Sequence, residues 1–115
     1  MADLGELIAA IRRFNADRGW ERFHDPKSLA LALVGEVGEL AELLQWLPAE
    51  SALDQVRTDP LHTRLAEELS DVLIYLLNLA DIADIDLIEA ATAKLTAAAL
   101  KYPVANYRDR APDRR

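Results

Sequence analysis

The sequence predicts an all-α fold built on four helices, and three observations predict it. Apolar residues recur at steps of three and four through long stretches. Aspartates that suit helix starts stand just ahead of those stretches. No segment shows sustained apolar–polar alternation, and no Asn-Gly or Asp-Gly hairpin turn occurs. At 115 residues the chain suits one domain.

The first helix is expected to start at Asp3, with Glu6 three positions on as in a capping box, and to stop at about Asp17 before Gly19. The second starts at Asp25-Pro26, an N-cap followed by proline at the first helical position, and ends at about Trp46, ahead of Pro48. The third starts at Asp59-Pro60 by the same device and runs to about Ile82. The fourth starts at Asp86, with Glu89 three residues later, and runs to about Leu100; Pro103 closes it. Leu29, Leu33, Val37, Leu40, Leu44 and Leu47 mark the apolar face of the second helix. Leu65, Leu69, Val72, Leu76 and Leu79 mark that of the third. Residues 48–58 read as a linker that could hold one helical turn. Residues 1–103 form the helical domain, and 104–115 read as an irregular polar tail.

Composition excludes several function classes. Half of the chain is apolar (51%), enough for a core, with some of that surface available for burial between subunits. The net charge is −7, and only the short tail (Arg108, Arg110, Arg114, Arg115) is rich in arginine. A nucleic-acid polymer is therefore not an expected partner, since phosphate binding needs clustered cations. An acidic chain still binds a nucleotide if a divalent cation stands between carboxylates and phosphates. With no cysteine, a disulfide framework, a thiolate zinc site and a cysteine nucleophile are all excluded. The first residues do not read as a signal peptide, and no run approaches the roughly 20 apolar residues of a membrane span. A soluble, cytoplasmic protein without a membrane partner is expected.

Some side chains are costly where they stand. Glu36 and Glu39 are three apart and share one helix face; Glu68 and Asp71 repeat the arrangement on the next long helix. Glu36 is flanked at helical spacing by Ala32, Leu33 and Leu40, and Asp71 by Ile74 and Tyr75. Acids on helices are most often solvated surface. Like charges beside an apolar stripe repel and lose water. Two such pairs on adjacent antiparallel helices could surround one hard divalent cation, which oxygen ligands favour over zinc or copper. Glu42, Glu67, Asp81 and Asp84 are also candidates by chemistry, and Glu67 could take the place of Glu68. The di-iron pattern of Glu-x-x-His is missing, because neither His24 nor His62 follows a glutamate at that spacing.

A second group is aromatic. Trp20, Phe23, His24 and Trp46 could stack on a nucleobase or simply pack. A lone histidine such as His24 is more often a cap or a packing residue than a ligand. Lys94, Lys101 and Tyr102 lie toward the end of the fourth helix, where its dipole favours lysine in any case.

The stretch LALVGEVGELAELLQW (Leu31 to Trp46), followed by EELSDVLIYLLNLA (Glu67 to Ala80), closely resembles the MazG-like all-α nucleoside triphosphate (NTP) pyrophosphohydrolases, and within them the dCTP pyrophosphatase branch. The resemblance extends from about Phe14 through Pro103. It implies a four-helix MazG-like bundle assembled as an oligomer, with a tetramer favoured and a dimer possible. It implies metal ligands at Glu36, Glu39, Glu68 and Asp71, which selects Glu68 over Glu67. It implies substrate contacts at Trp20, His24, Trp46, Lys94 and Tyr102, and Lys101 is expected to join Lys94 in neutralising the phosphates. The implied reaction is hydrolysis between the α and β phosphates, giving monophosphate and pyrophosphate. A pyrimidine deoxynucleotide such as dCTP, or a modified analogue, is the implied substrate, in nucleotide-pool housekeeping. Two positions depart from the pattern. Ala98 stands where the family often has asparagine, and Ile11 stands where the dCTP branch can carry a base-contacting histidine.

The expected cofactor is Mg2+, with Mn2+ as a possible substitute. A carboxylate would act as general base toward a water attacking the α-phosphorus, and Glu39 is assigned that catalytic role. The competing expectation is a nucleotide- or metal-binding helical oligomer with weak or no catalysis, which Ala98 keeps open.

Overall fold

The computed structural model describes residues 3–112, and among them it contains only helices and their connections. Six α-helices follow in order: α1 (Leu4–Asp17), α2 (Pro26–Leu44), α3 (Ala49–Val56), α4 (Leu61–Ile82), α5 (Leu87–Lys101) and α6 (Val104–Tyr107). A single 3-10 turn, Glu21–Phe23, lies between α1 and α2. The chain divides after Asp84 into two compact units, α1 to α4 in the first and α5 with α6 in the second.

Aspartates start three of the long helices as their chemistry requires. An N-cap carboxylate accepts an otherwise orphaned backbone N–H of the first turn. Asp3 accepts from the Glu6 N–H at 2.8 Å, Asp25 from Ser28 at 2.9 Å, and Asp86 from Glu89 at 3.1 Å. The start of α4 differs from expectation by one residue. Pro60 is the N-cap, and Asp59 lies one place outside it. Its Oδ1 nevertheless accepts from the Thr63 N–H (3.0 Å) and hydroxyl (2.6 Å), so the carboxylate still caps the helix.

Three further differences have physical reasons. Helix α2 ends at Leu44 rather than near Trp46, because Pro48 disfavours helical geometry in the residues leading to it. The 48–58 linker holds α3, two turns rather than one. It packs on α4, and His62 of α4 donates from Nδ1 to the carbonyl of Val56 at 3.0 Å, satisfying an orphaned C-terminal acceptor. The polar tail is not wholly irregular, since Val104–Tyr107 makes one helical turn after Pro103.

In the first unit α2 lies along α4, and α1 and α3 also pack on α4. Leu29 of α2 and Leu77 of α4 are the most completely buried large side chains, joined in the core by Ile11 and Ala80. Glu36 and Asp71 line one cavity, while Leu43 and Arg64 line another with Glu39 and Glu68 between them. The residue order on α2 thus runs against that on α4, so the two helices are antiparallel. That direction brings the acidic pair of each helix level with the other.

Candidate metal and nucleotide site

Glu36, Glu39 and Glu68 each offer a carboxylate oxygen within 4.8 Å of the others. Glu36 and Glu39 come from successive turns of α2, and Glu68 from the facing turn of α4. Asp71 stands outside that close group, but its charge reaches Glu36 and Glu68. Glu67 points elsewhere on α4 and is exposed. Of the two neighbouring glutamates, the structure therefore brings Glu68 to the cluster.

The cluster is electrostatically unfinished. Oε2 of Glu36 and Oε2 of Glu68 are both sealed from solvent and have no hydrogen-bond partner. Burial pushes the Glu36 carboxyl above its ordinary value, and Glu39, Asp71 and Glu68 push it further. Glu68 is raised by burial and by Glu39 and Asp71, while Arg64 opposes the shift. Buried polar atoms normally find partners. Oxygen donors converging without a cation are what a hard divalent ion satisfies. The donor set therefore fits a divalent metal.

Two cavities flank these carboxylates. One, of about 400 Å³, is polar and open, and is lined by Glu39, Glu42, Leu43, Arg64 and Glu68. The other, of about 410 Å³, is mainly apolar. Its walls include Ile11 and Phe14 of α1, Trp20, and Ile74 and Tyr75 of α4, and it reaches Glu36 and Asp71. Phe14 and Trp20 meet edge to face at 5.6 Å between ring centres and 73° between planes. The turn after α1 sets this pair, because the Asn15 carbonyl accepts from the N–H of both Arg18 and Trp20. An apolar slot opening on a cluster of metal-suited oxygens can receive a flat ring joined to a charged group.

Not every expected contact gathers here. His24 lines the apolar cavity and is hydrogen-bonded to Asn78. Trp46 is 85% exposed and lines neither cavity. Phe23 is exposed and sits under Arg22. Asp81, an acid eligible by chemistry, is engaged by the Arg12 guanidinium, with Nε donating to Oδ2 at 2.8 Å. Lys94, Lys101 and Tyr102 belong to the second unit. There Tyr102 packs edge to face on Tyr107 at 5.1 Å, and the Lys101 ammonium lies 5.4 Å from the Tyr102 ring.

Sequence reasoning passed over Asn15, Asn78 and Arg64. A signal for the asparagines existed. Asn78 continues the face of Asp71, Ile74 and Tyr75, and a polar residue on such a face is unusual enough to question.

Comparison with known proteins bears on this arrangement. The chain is 50% identical to dCTP pyrophosphatase 1 of Bos taurus over 91 residues, covering 79% of this chain and 54% of that protein. The Mus musculus protein of the same name gives the same values. The Homo sapiens one is 49% identical over 90 residues, with 78% and 53% covered. The chain thus spans about half the length of the curated relatives it matches. Among solved structures, a pyrophosphatase from Archaeoglobus fulgidus DSM 4304 superposes with a TM-score of 0.81 at 38% identity, covering 90% of this chain and 94% of that one. The family model described as the MazG nucleotide pyrophosphohydrolase domain matches residues 24–98, which include Glu36, Glu39, Glu68 and Asp71. The chain belongs to the MazG nucleotide pyrophosphohydrolase family.

Proposed function

We propose that this chain is a magnesium-dependent nucleoside triphosphate pyrophosphohydrolase acting on a pyrimidine deoxynucleotide such as dCTP or a modified analogue. The observation that carries the reading is the pair of sealed, unpartnered oxygens, Glu36 Oε2 and Glu68 Oε2, beside an apolar slot of ring-accepting size. The dCTP pyrophosphatase 1 relatives support the reaction and the substrate class.

Glu36, Glu39, Glu68 and Asp71 would hold the ion, magnesium first and manganese as a substitute. When bound, the ion supplies positive charge against the triphosphate as pyrophosphate leaves. Glu39 is the exposed member of the close group and borders the open polar cavity. On this reading it takes a proton from a water attacking the α-phosphorus. Trp20, with Phe14 at its edge, and His24 receive the base. Trp46, Lys94 and Tyr102 keep the substrate-binding roles that the family pattern suggests, and Lys101 joins Lys94 against the phosphates.

We also propose a homo-oligomer, a tetramer ahead of a dimer. Leu31 and Val34 on α2 are 62% and 66% exposed, in a chain whose buried apolar core is small. No helix among the described residues is long and apolar enough to cross a membrane, which accords with a cytoplasmic enzyme of nucleotide-pool housekeeping.

The test is pyrophosphate release from a panel of ribo- and deoxyribonucleoside triphosphates with and without magnesium. Magnesium-dependent release that favours one base is the expected result. A folded protein that releases nothing from any member would leave a binding protein instead.

A further inference from the structure

The apolar cavity holds two buried carboxamides, Asn15 of α1 and Asn78 of α4, only 7% and 6% exposed. Both also line a second cavity of about 520 Å³, which Arg12, Glu21 and Asp81 border as well. They and His24 are the residues the two cavities share, so they form the partition between them. Asn78 lies seven residues beyond Asp71 on the same face of α4. That is roughly 10 Å along the helix, enough for a sugar and a six-membered ring to lie between a phosphate at the carboxylates and a base edge at Asn78.

Buried carboxamides are normally engaged within the protein, and these two are sparsely engaged. Among the described residues the Asn15 side chain makes no hydrogen bond; only its backbone carbonyl is engaged. Asn78 makes one, from Nδ2 to His24 Nδ1 at 3.3 Å. An amide nitrogen only donates, so Nδ1 must accept, and a neutral His24 carries its proton on Nε2. The bond also fixes which way the amide faces. With Nδ2 committed to His24, Oδ1 is left as the acceptor.

We infer that Asn78, oriented by His24 and aided by Asn15, reads the edge of the bound base and selects one bearing an exocyclic amino group over one bearing a carbonyl at the same position. This rests on the pyrophosphohydrolase reading above. An amino group donates to Oδ1. A carbonyl there sets two acceptors against each other and leaves both unpaired against mainly apolar walls. Asn78 touches the base. His24 acts on selectivity through Asn78 and is in that respect a positioning residue.

The test compares dCTP with dUTP, which differ at the 4-position (amino against carbonyl) and with it at N3 (acceptor against N–H donor), using kcat/KM for the wild type, Asn78→Ala and His24→Ala. The wild type should favour dCTP by about 10-fold or more, as sites built on hydrogen bonds do. Asn78→Ala should bring the ratio near one, mainly by lowering dCTP turnover. His24→Ala should shrink the ratio by freeing the amide to turn. Equal use of both nucleotides by the wild type overturns the inference, and so does an unchanged ratio in both variants, which is what a purely structural partition would give. If the folded wild type hydrolyses no triphosphate, the enzymatic reading fails separately. Calorimetric binding of dCMP against dUMP then decides this one: a dCMP preference lost in Asn78→Ala upholds it, and equal binding ends it.

Discussion

Replacing Glu36 by glutamine should stabilise the metal-free protein and at the same time abolish its response to magnesium. Glu36 carries one sealed oxygen without a partner and faces Glu39, Asp71 and Glu68. Glutamine keeps the shape and removes the charge. Each like-charge contact relieved is worth a few tenths of a kcal/mol. The desolvation cost falls without vanishing, because an amide still needs partners. Glu36 as a whole is only half-buried, so water screens part of the repulsion. The sum is about 1 kcal/mol, or roughly 4 °C in melting temperature for a domain of this size. Magnesium acts in the opposite direction: an ion at a hundred times its dissociation constant stabilises the native state by about 2.7 kcal/mol. The order of stability should therefore reverse, with the variant melting higher in a chelator and the wild type higher in saturating magnesium. Differential scanning calorimetry under both conditions reads this directly. A variant that melts below the wild type in chelator, or that gains as much from magnesium, would refute the reasoning.

The same cluster predicts a pH dependence. Glu36 and Glu68 have raised carboxyl pKa values in the folded state, from burial first and neighbouring acids second. Their contribution to metal-free stability is therefore fully present below the ordinary glutamate range and is lost as pH rises through the raised values. Asp25, Asp59 and Asp81 are lowered and act with the opposite sign at lower pH. The melting-temperature difference between wild type and Glu36→Gln isolates the cluster, and it should widen in the variant's favour as pH increases from 4 toward neutrality in chelator. Magnesium affinity should rise over the same interval, because ligands must lose their protons to bind; a flat affinity by titration calorimetry would count against the site. Glu39→Gln and Asp71→Asn should each lower pyrophosphate release by about 100-fold or more while far-ultraviolet circular dichroism is unchanged; near-normal turnover in saturating magnesium would remove either residue from the machinery. Leu77→Ala, at one of the two most buried large side chains, should cost about 2–5 kcal/mol in denaturant melts. A cost below 1 kcal/mol would show that the α1–α2–α4 core is not centred there.

Much of this was legible because the signals are local. An aspartate followed by a free backbone N–H three residues on caps a helix wherever the chain goes, and Asp3, Asp25 and Asp86 do so. The acidic pairs were legible for a related reason, since a three-residue spacing sets two carboxylates on one helix face before any packing is known. Helix α3 was harder to read. Its eight residues are short for an isolated helix, and its support comes from α4 and from His62, which lie later in the chain.

The asparagines show where such reading stops. Each sits among apolar residues at core-facing positions, as Glu36 does, and each looks locally like a weak point in a good stripe. The glutamate stood out because a buried charge is costly enough to demand an explanation. The carboxamides did not, because a buried amide is routinely satisfied inside a core, and only the three-dimensional contacts reveal that these two share a single side-chain hydrogen bond, from Asn78 to His24. The same imbalance joins the two ends of the slot. At one end two sealed carboxylate oxygens have no hydrogen-bond partner, at the other the two carboxamides together make one side-chain hydrogen bond, Asn78 to His24, and the walls between them are mainly apolar. A ligand that carries both a phosphate-borne metal and a polar ring edge would satisfy both ends at once, and its removal should leave the free protein with a stability cost at each.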